Sequence, residues 1–379
     1  MTAQAPRDQP STLGIVASHG LWNVLGEHTP LNRASLDAIS DADWVEVHRS
    51  LVTERLSPLA AYAIEQGSLS ASDSQRLEIF ADHKSSMSLA LVLERRLLEV
   101  YSKMTLAGID ARVLKGPAVA HLDYPDPSFR AFGDIDLLVP AGSFEAASQI
   151  LSSAGARRRF PEVSKGFDSR FGKGACFAYS DGLQIDLHRT ISAGPFGLSV
   201  DLDALFASVD EFEIRSLKVR TISRQHRFMH ACFHAALGDV SPRLVALRDV
   251  AQMLIVNEVD LEQSIVLAKE WRAEVVLARA ITLTWDRLDL PPGDALAWAN
   301  SYLPSRYEAR AMRAYTSENR SYATQVAAGV SAVPGIAGKL AYMRALLLPS
   351  RQHLAGRDSS YWARFKRGVA ALHESRSRQ

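Results

Sequence analysis

Two short apolar runs that carry carboxylates at alternate positions limit what this chain can fold into more than any other feature. The first is Gly133-Asp134-Ile135-Asp136-Leu137-Leu138-Val139, and the second is Gly182-Leu183-Gln184-Ile185-Asp186-Leu187-His188. Residues two apart in a strand point to the same face. Asp134 and Asp136 are therefore expected side by side, and His188 on the face of Asp186. Two carboxylates that close repel one another unless a cation lies between them. Oxygen ligands of this kind, with room left for water and phosphate, suit Mg²⁺ or Mn²⁺. A pair of such ions activates an attacking oxygen and stabilises a leaving one.

The residues around the first run strengthen that reading. Arg112–Leu114 reads as a short strand, Lys115-Gly116 as a turn, and Pro117–His121 as a short helix. A strand-to-helix turn offers backbone N–H groups to phosphate. Arg130 lies four residues before Asp134, while Tyr124 and Asp126 shape the loop between. After Val139, Pro140-Ala141-Gly142-Ser143 reads as a turn, and Phe144–Ser153 as a helix closing at Gly155. Strand, helix and strand in this sequence form an α/β unit. Arg157-Arg158-Arg159 reads as solvated surface, and Ser164–Gly174 as a mobile loop over the site. Ala175–Tyr179 and Leu183–His188 pair as a hairpin through Asp181-Gly182.

The succession of LKG, YPDPSFR, GDIDLLV and IDLH resembles a bacterial nucleotidyltransferase-like family within the DNA polymerase β-type nucleotidyltransferase superfamily. The resemblance is close over Val113–His188 and continues weakly through HACFHAAL and RLVALRDVAQML. It implies an α/β (α+β) core, a nucleotidyltransferase-type mixed β-sheet with helices. It also implies two metal ions held by Asp134, Asp136 and Asp186, with a nucleoside triphosphate (NTP) as substrate. Leu-Lys-Gly replaces the superfamily's usual Gly-Ser turn, so Lys115 and Gly116 would meet the phosphates in their own way. Arg130, Gly133, His188, His234 and Asp249 complete the nucleotide-binding expectation. His188 has an alternative role, a structural hydrogen bond that holds the strand end.

The remaining sequence frames this core. Residues 1–31 read as a disordered lead-in and 32–107 as an N-terminal helical region. The nucleotidyltransferase core follows at 108–224, a helical domain at 225–315, and a linker with a basic helical tail at 316–379. Ser40 offers a cap, Pro58 a helix start and Gly67 a stop. In the long helix ending near Leu106, Leu89, Val92, Leu93, Leu97, Leu98 and Val100 form the expected apolar stripe. Helices are read over Leu261–Arg272, Ala273–Leu288 and Ala295–Leu303. His230 and His234 share a helix side at i and i+4, but no Glu of an HExxH motif accompanies them. Hydrogen bonding is the better reading, with His234 facing the cleft. Asp249 is expected to orient an arginine or substrate, or to pair with His234.

Composition narrows the function classes. Net charge is +1, and only Cys176 and Cys232 are present, both read as buried fillers. Bulk attraction to nucleic acid is not expected, nor is a disulfide scaffold or a thiolate zinc site. No segment reads as a membrane span or signal peptide, so a cytoplasmic protein is expected. The expected enzyme transfers a nucleoside monophosphate from an NTP to a hydroxyl of a small-molecule or peptide acceptor. The alternatives are a catalytically weak nucleotide- or partner-binding homologue, and a toxin-like transferase acting on RNA.

Overall fold

The computed structural model describes residues 12–21, 39–317, 322–350 and 353. Its strands are β1 (Arg112–Val113), β2 (Ile135–Leu138), β3 (Arg157–Arg158), β4 (Gly174–Ala178), β5 (Gln184–His188), β6 (Val209–Ile214) and β7 (Leu217–Ile222). They form one mixed sheet in the order β3-β4-β5-β2-β1-β7-β6. β2 runs parallel to β5 and antiparallel to β1, while β1 runs parallel to β7. The two acid-bearing strands are therefore neighbours at the centre of the sheet.

Alternation along β2 and β5 decides which face carries the chemistry. Ile135, Leu137, Ile185 and Leu187 enter one core with Leu93, Leu97, Val100 and Met104 of the Asp73–Leu106 helix and Leu151 of the Phe144–Ser153 helix. Asp136, Asp186 and His188 have the opposite parity. Their face meets the larger helical core, which Leu138 joins and to which the Arg224–Leu237 helix contributes Phe228, Met229 and Phe233. The site is thus compelled to lie between the sheet and that helix.

Capping chemistry sets the N-terminal elements. The Ser40 hydroxyl accepts from the Asp43 N–H at the start of the Asp41–Thr53 helix. Ser72 and Gln75 form a capping box for the long helix, which satisfies two orphan donors reciprocally. That helix bridges two cores. Ile79 enters the helical core, whereas Leu93 onward enters the sheet core. Leu89 and Val92, expected in the apolar stripe, fall between the two and are exposed, at 40% and 39%. Among the described residues, no helix is long and apolar enough to cross a membrane.

Several regions depart from the expectations. Residues 12–18, placed in the disordered lead-in, form a helix whose Val16 and Ala17 are buried. The buried Arg248 guanidinium holds this segment by donating to the Ala17 and His19 carbonyls at 2.8 and 2.5 Å. The β6–β7 hairpin was not foreseen. Its two turn residues, Arg215 and Ser216, have φ of 49° and 65°, the backbone of a type I′ turn without the usual Asn-Gly signal. The basic run contributes Arg157 and Arg158 to edge strand β3, and Arg158 pairs with the buried Asp168. Phe167 anchors the 164–174 segment in a small core with Val326, Val333 and Tyr342. The Tyr322–Ala328 and Ile336–Leu347 helices therefore occupy the sequence expected as a linker. Of the basic tail, Arg357, Arg364, Lys366, Arg367, Arg376 and Arg378 lie outside the described residues, as does Arg351.

One contact ties this last segment to the site. Gly194 has φ +69°, and a Cβ added there would lie 2.5 Å from the Gln325 carbonyl oxygen and 2.6 Å from the Tyr315 hydroxyl. Gly194→Ala is expected to cost more than about 1 kcal/mol of stability, since both backbone conformation and space forbid the methyl. Chemical denaturation checks this, and an unchanged midpoint would show that the 322–347 helices do not pack on this wall.

Candidate functional site

β2 presents Asp136 with its side chain fully buried. The parallel register places Asp136 opposite Asp186 and Leu138 opposite His188. One ligand atom each from Asp136, Asp186 and His188 lies within 4.8 Å of the others. His188 Nε2 is 2.8 Å from Asp136 Oδ1, a hydrogen bond across the two neighbouring strands. That bond fixes the carboxylate and leaves Oδ2 to the Lys115 ammonium.

Lys115 follows β1 directly, and the chain then turns at Gly116. Gly116 has φ 60° and ψ −114°, a conformation that a side chain would strain. This turn brings Lys115 Nζ to 3.3 Å from Asp136 Oδ2 and 4.0 Å from Asp134 Oδ2. Burial alone would raise the Asp136 carboxyl, but the Lys115 ammonium and the His188 hydrogen bond outweigh it and hold the carboxyl well below its usual range. Burial also works against the Lys115 ammonium, yet Asp136 and Asp134 raise its pKa overall. The lysine is a counter-ion for the site's acids, a role that its placement in a turn did not reveal.

A cavity of about 210 Å³ opens beside this group, lined by Lys115, Gly116, Asp134, Arg130 and His234 among others. Two further cations, Arg55 and Arg243, also line it, and neither was singled out from sequence. Arg55 has φ 60° at the end of the Asp41–Thr53 helix, where Leu56 N–H bonds to the Leu51 carbonyl. That is a Schellman-type end in which glycine is the usual residue. An arginine there carries a backbone cost, and its guanidinium reaches Gly133, where a Cβ would lie 3.1 Å from Nη2. The signal was an arginine at a helix stop, too common to interpret alone.

Arg130 lines the same cavity but is fixed from behind. Its Nε and Nη2 donate to the two Asp249 oxygens at 2.9 and 2.6 Å, and the Tyr124 hydroxyl donates to Oδ1 at 2.9 Å. Asp249 therefore orients an arginine, as one expectation had it, and does not pair with His234. Burial opposes the Arg130 charge, but Asp249 raises its pKa above the ordinary value. Asp249→Ala should cost about 3–5 kcal/mol, because it strands a buried guanidinium. Replacing both partners, as Arg130→Met with Asp249→Leu, should cost less. Urea unfolding of the two variants checks the order, and equal losses would refute the pairing argument.

A second cavity, about 450 Å³, shares Lys115 and His234 with the first. Lys173, His230, Phe233 and Tyr315 also line it. Burial lowers the pKa of both His230 and His234 well below the usual value, with Lys115 adding to the effect. Both are neutral hydrogen-bonding groups at pH 7. Lys173 is lowered by burial and then by Lys115; it ends the segment that sequence reasoning assigned to a mobile loop. Cys176, part-buried, and Cys232, buried, are both free.

The donor set fits a divalent cation. Two carboxylates and an imidazole converge, one buried carboxylate oxygen is met by a lysine ammonium that a cation could replace, and a cavity lined by further cations adjoins them. No curated protein matches the chain significantly. A solved structure, that of an antigenic nucleotidyltransferase-like protein from Paracoccidioides brasiliensis, matches at 16% identity over 54% of this chain and 92% of its own, with a TM-score of 0.28. That likeness is too slight to bear on the site. The model of a family described as uncharacterised nucleotidyltransferase matches residues 40–289, about two-thirds of the sequence and all of the sheet just described, and the chain belongs to that family.

Proposed function

We propose that this protein transfers a nucleoside monophosphate from an NTP to a hydroxyl group of a small-molecule or peptide acceptor, with release of pyrophosphate. The observation that carries the reading is the junction of the Asp136, Asp186 and His188 cluster with a cavity lined by Arg55, Lys115, Arg130 and Arg243. Four cations against two carboxylates, Asp134 and Asp239, leave a positive excess around about 210 Å³, which suits a triphosphate better than an uncharged ligand.

In this reading Asp136 and Asp186 would hold divalent cations, Mg²⁺ or Mn²⁺, with Asp134 extending the donor set toward the triphosphate cavity. His188 orients Asp136 through its hydrogen bond, as partners of metal-binding carboxylates commonly do. When bound, the ions supply neutralisation of phosphate oxygens and activation of the attacking oxygen. The chain's own groups do the rest. Arg55, Arg130 and Arg243 hold the triphosphate, and the Asp249 pair fixes the arginine nearest to Asp134 in sequence. Lys115 moves from counter-ion of Asp136 to counter-ion of phosphate, so the site is electrostatically balanced both empty and loaded. The acceptor oxygen forms a bond to the α-phosphorus as the α–β phosphoanhydride bond breaks. The hydroxyl proton passes to Asp186, and pyrophosphate leaves.

The test is incubation of the protein with each of the four α-labelled ribonucleoside triphosphates, Mg²⁺ or Mn²⁺, and a cell extract. The expected result is metal-dependent pyrophosphate release, with label on an acceptor for one nucleotide. Absence of transfer with every nucleotide and both metals, by protein that binds a non-hydrolysable analogue, overturns the reading.

A further inference from the structure

The second cavity is lined in a way that the first is not. Its cations are Lys115, shared with the triphosphate cavity, and Lys173. None of the described side chains lining it is a carboxylate. Its walls are otherwise apolar or aromatic, from Ile191, Phe233, Leu237 and Tyr315, with neutral polar groups from Ser192, Gln325 and the two histidines. Lys173 is part-buried, and no carboxylate oxygen among the described residues lies within the 4.0 Å ion-pair distance of its ammonium. Burial and then Lys115 lower its pKa, while Asp136 and Asp186 work in the opposite direction without reversing the shift. A part-buried ammonium with no carboxylate at ion-pair distance is costly unless an anion joins it.

We infer that this cavity is the acceptor pocket, and that it takes a small amphipathic hydroxy acid whose carboxylate pairs with Lys173 while its apolar body lies between Phe233 and Tyr315. The inference rests on the transfer reading above, since it names the substrate class of that site. Geometry supports the assignment. Lys115 and His234 line both cavities, so the second chamber adjoins the first at Lys115, whose ammonium lies 3.3 Å from Asp136 Oδ2. A volume of about 450 Å³ is within the range for drug-sized molecules, roughly 300–1,000 Å³. The charge pattern excludes a polycationic acceptor such as an aminoglycoside, which would bring ammonium groups against two lysines with no lining carboxylate to receive them. Packing of Gly194 on Tyr315 and Gln325 adds two residues from beyond the family-matched region 40–289 to a wall otherwise built within it.

A matched ligand series tests the inference on the full chain: 3-(4-hydroxyphenyl)propanoate, its primary amide, and tyramine. These keep one hydroxyl-bearing apolar body and change the charge from −1 through 0 to +1. Calorimetry is expected to show the carboxylate binding at least tenfold more tightly than the amide, in keeping with a charge-assisted hydrogen bond, and tyramine most weakly. Lys173→Gln should abolish the preference and Lys173→Arg should retain it, with binding of a non-hydrolysable NTP analogue in the first cavity unchanged within about twofold. Equal binding of the three, tightest binding of tyramine, no binding of any, or a preference that survives in Lys173→Gln overturns the inference. The wild-type series stands even if the glutamine variant does not fold. A carboxylate preference without binding of the nucleotide analogue would support the pocket while refuting the transfer reading, so the two fail separately.

Discussion

Asp136→Asn is expected to lower the transfer rate by about 10²–10³-fold or more, the loss typical when one preorganised electrostatic group is removed from a reacting centre. Asp136 is the most buried of the site's acids and is in direct contact with both Lys115 and His188. Its replacement also bears on stability. Viewed as two repelling carboxylates, Asp134 and Asp136 would be relieved by the change, and the metal-free protein would hold or gain stability. The structure reverses that sign, because Asp136 is already neutralised by Lys115. An asparagine leaves the Lys115 ammonium with Asp134 at 4.0 Å, at an expected cost of about 1–3 kcal/mol.

The pH dependence follows from linkage. A carboxyl held below its usual range in the folded state contributes stability above the unfolded pKa and loses it as pH falls through the folded value. The deficit of Asp136→Asn should therefore be constant from about pH 5 to 8 and shrink below about pH 4, near the ordinary aspartate pKa. Urea unfolding at several pH values, with single-turnover rates on the same preparation, measures both effects. Transfer at the wild-type rate would remove Asp136 from the site, and a gain in metal-free stability would refute its pairing with Lys115.

Asp186→Asn is expected to separate binding from chemistry. Asp186 pairs in register with Asp136 across two parallel strands, yet it is not among the residues that line the first cavity. Affinity for a non-hydrolysable NTP should therefore stay within a few-fold, while the single-turnover rate falls by about 10²–10⁴, the range for loss of a general base. A purely structural Asp186 would behave differently, since replacement would lower the melting temperature and leave the folded fraction active. Joint loss of nucleotide affinity and rate would contradict the proposed division of labour. A near-normal rate would exclude Asp186 from proton transfer.

Much of the core was legible because its signals are local. Alternation in GDIDLLV and LQIDLH dictates the strands that carry Asp136 and Asp186, and Ser40 and Ser72 dictate helix starts through bonds made within three residues. Where a partner is remote in the chain, the sequence carries no comparable signal. Asp249 was read with two candidate partners, and only folding brings Arg130, 119 residues away, into its bidentate grip. Arg55 and Lys173 looked like ordinary residues at a helix end and in a loop. They became site cations because the sheet and the helices enclose the space between them, a matter of long-range packing that no local periodicity encodes. The same reason accounts for the lead-in and the supposed linker. Val16, Val326 and Tyr342 are too sparse to announce a core by themselves, and they are ordered by surfaces that other segments supply. The sequence by itself thus determined the two strands that carry Asp136 and Asp186, whereas Asp134, expected beside Asp136 on the strand, precedes β2 and stands outside the cluster of Asp136, Asp186 and His188. The tertiary structure alone decided the charge balance of the site, because a carboxylate's state depends on which ammonium or imidazole stands within a few ångströms of it.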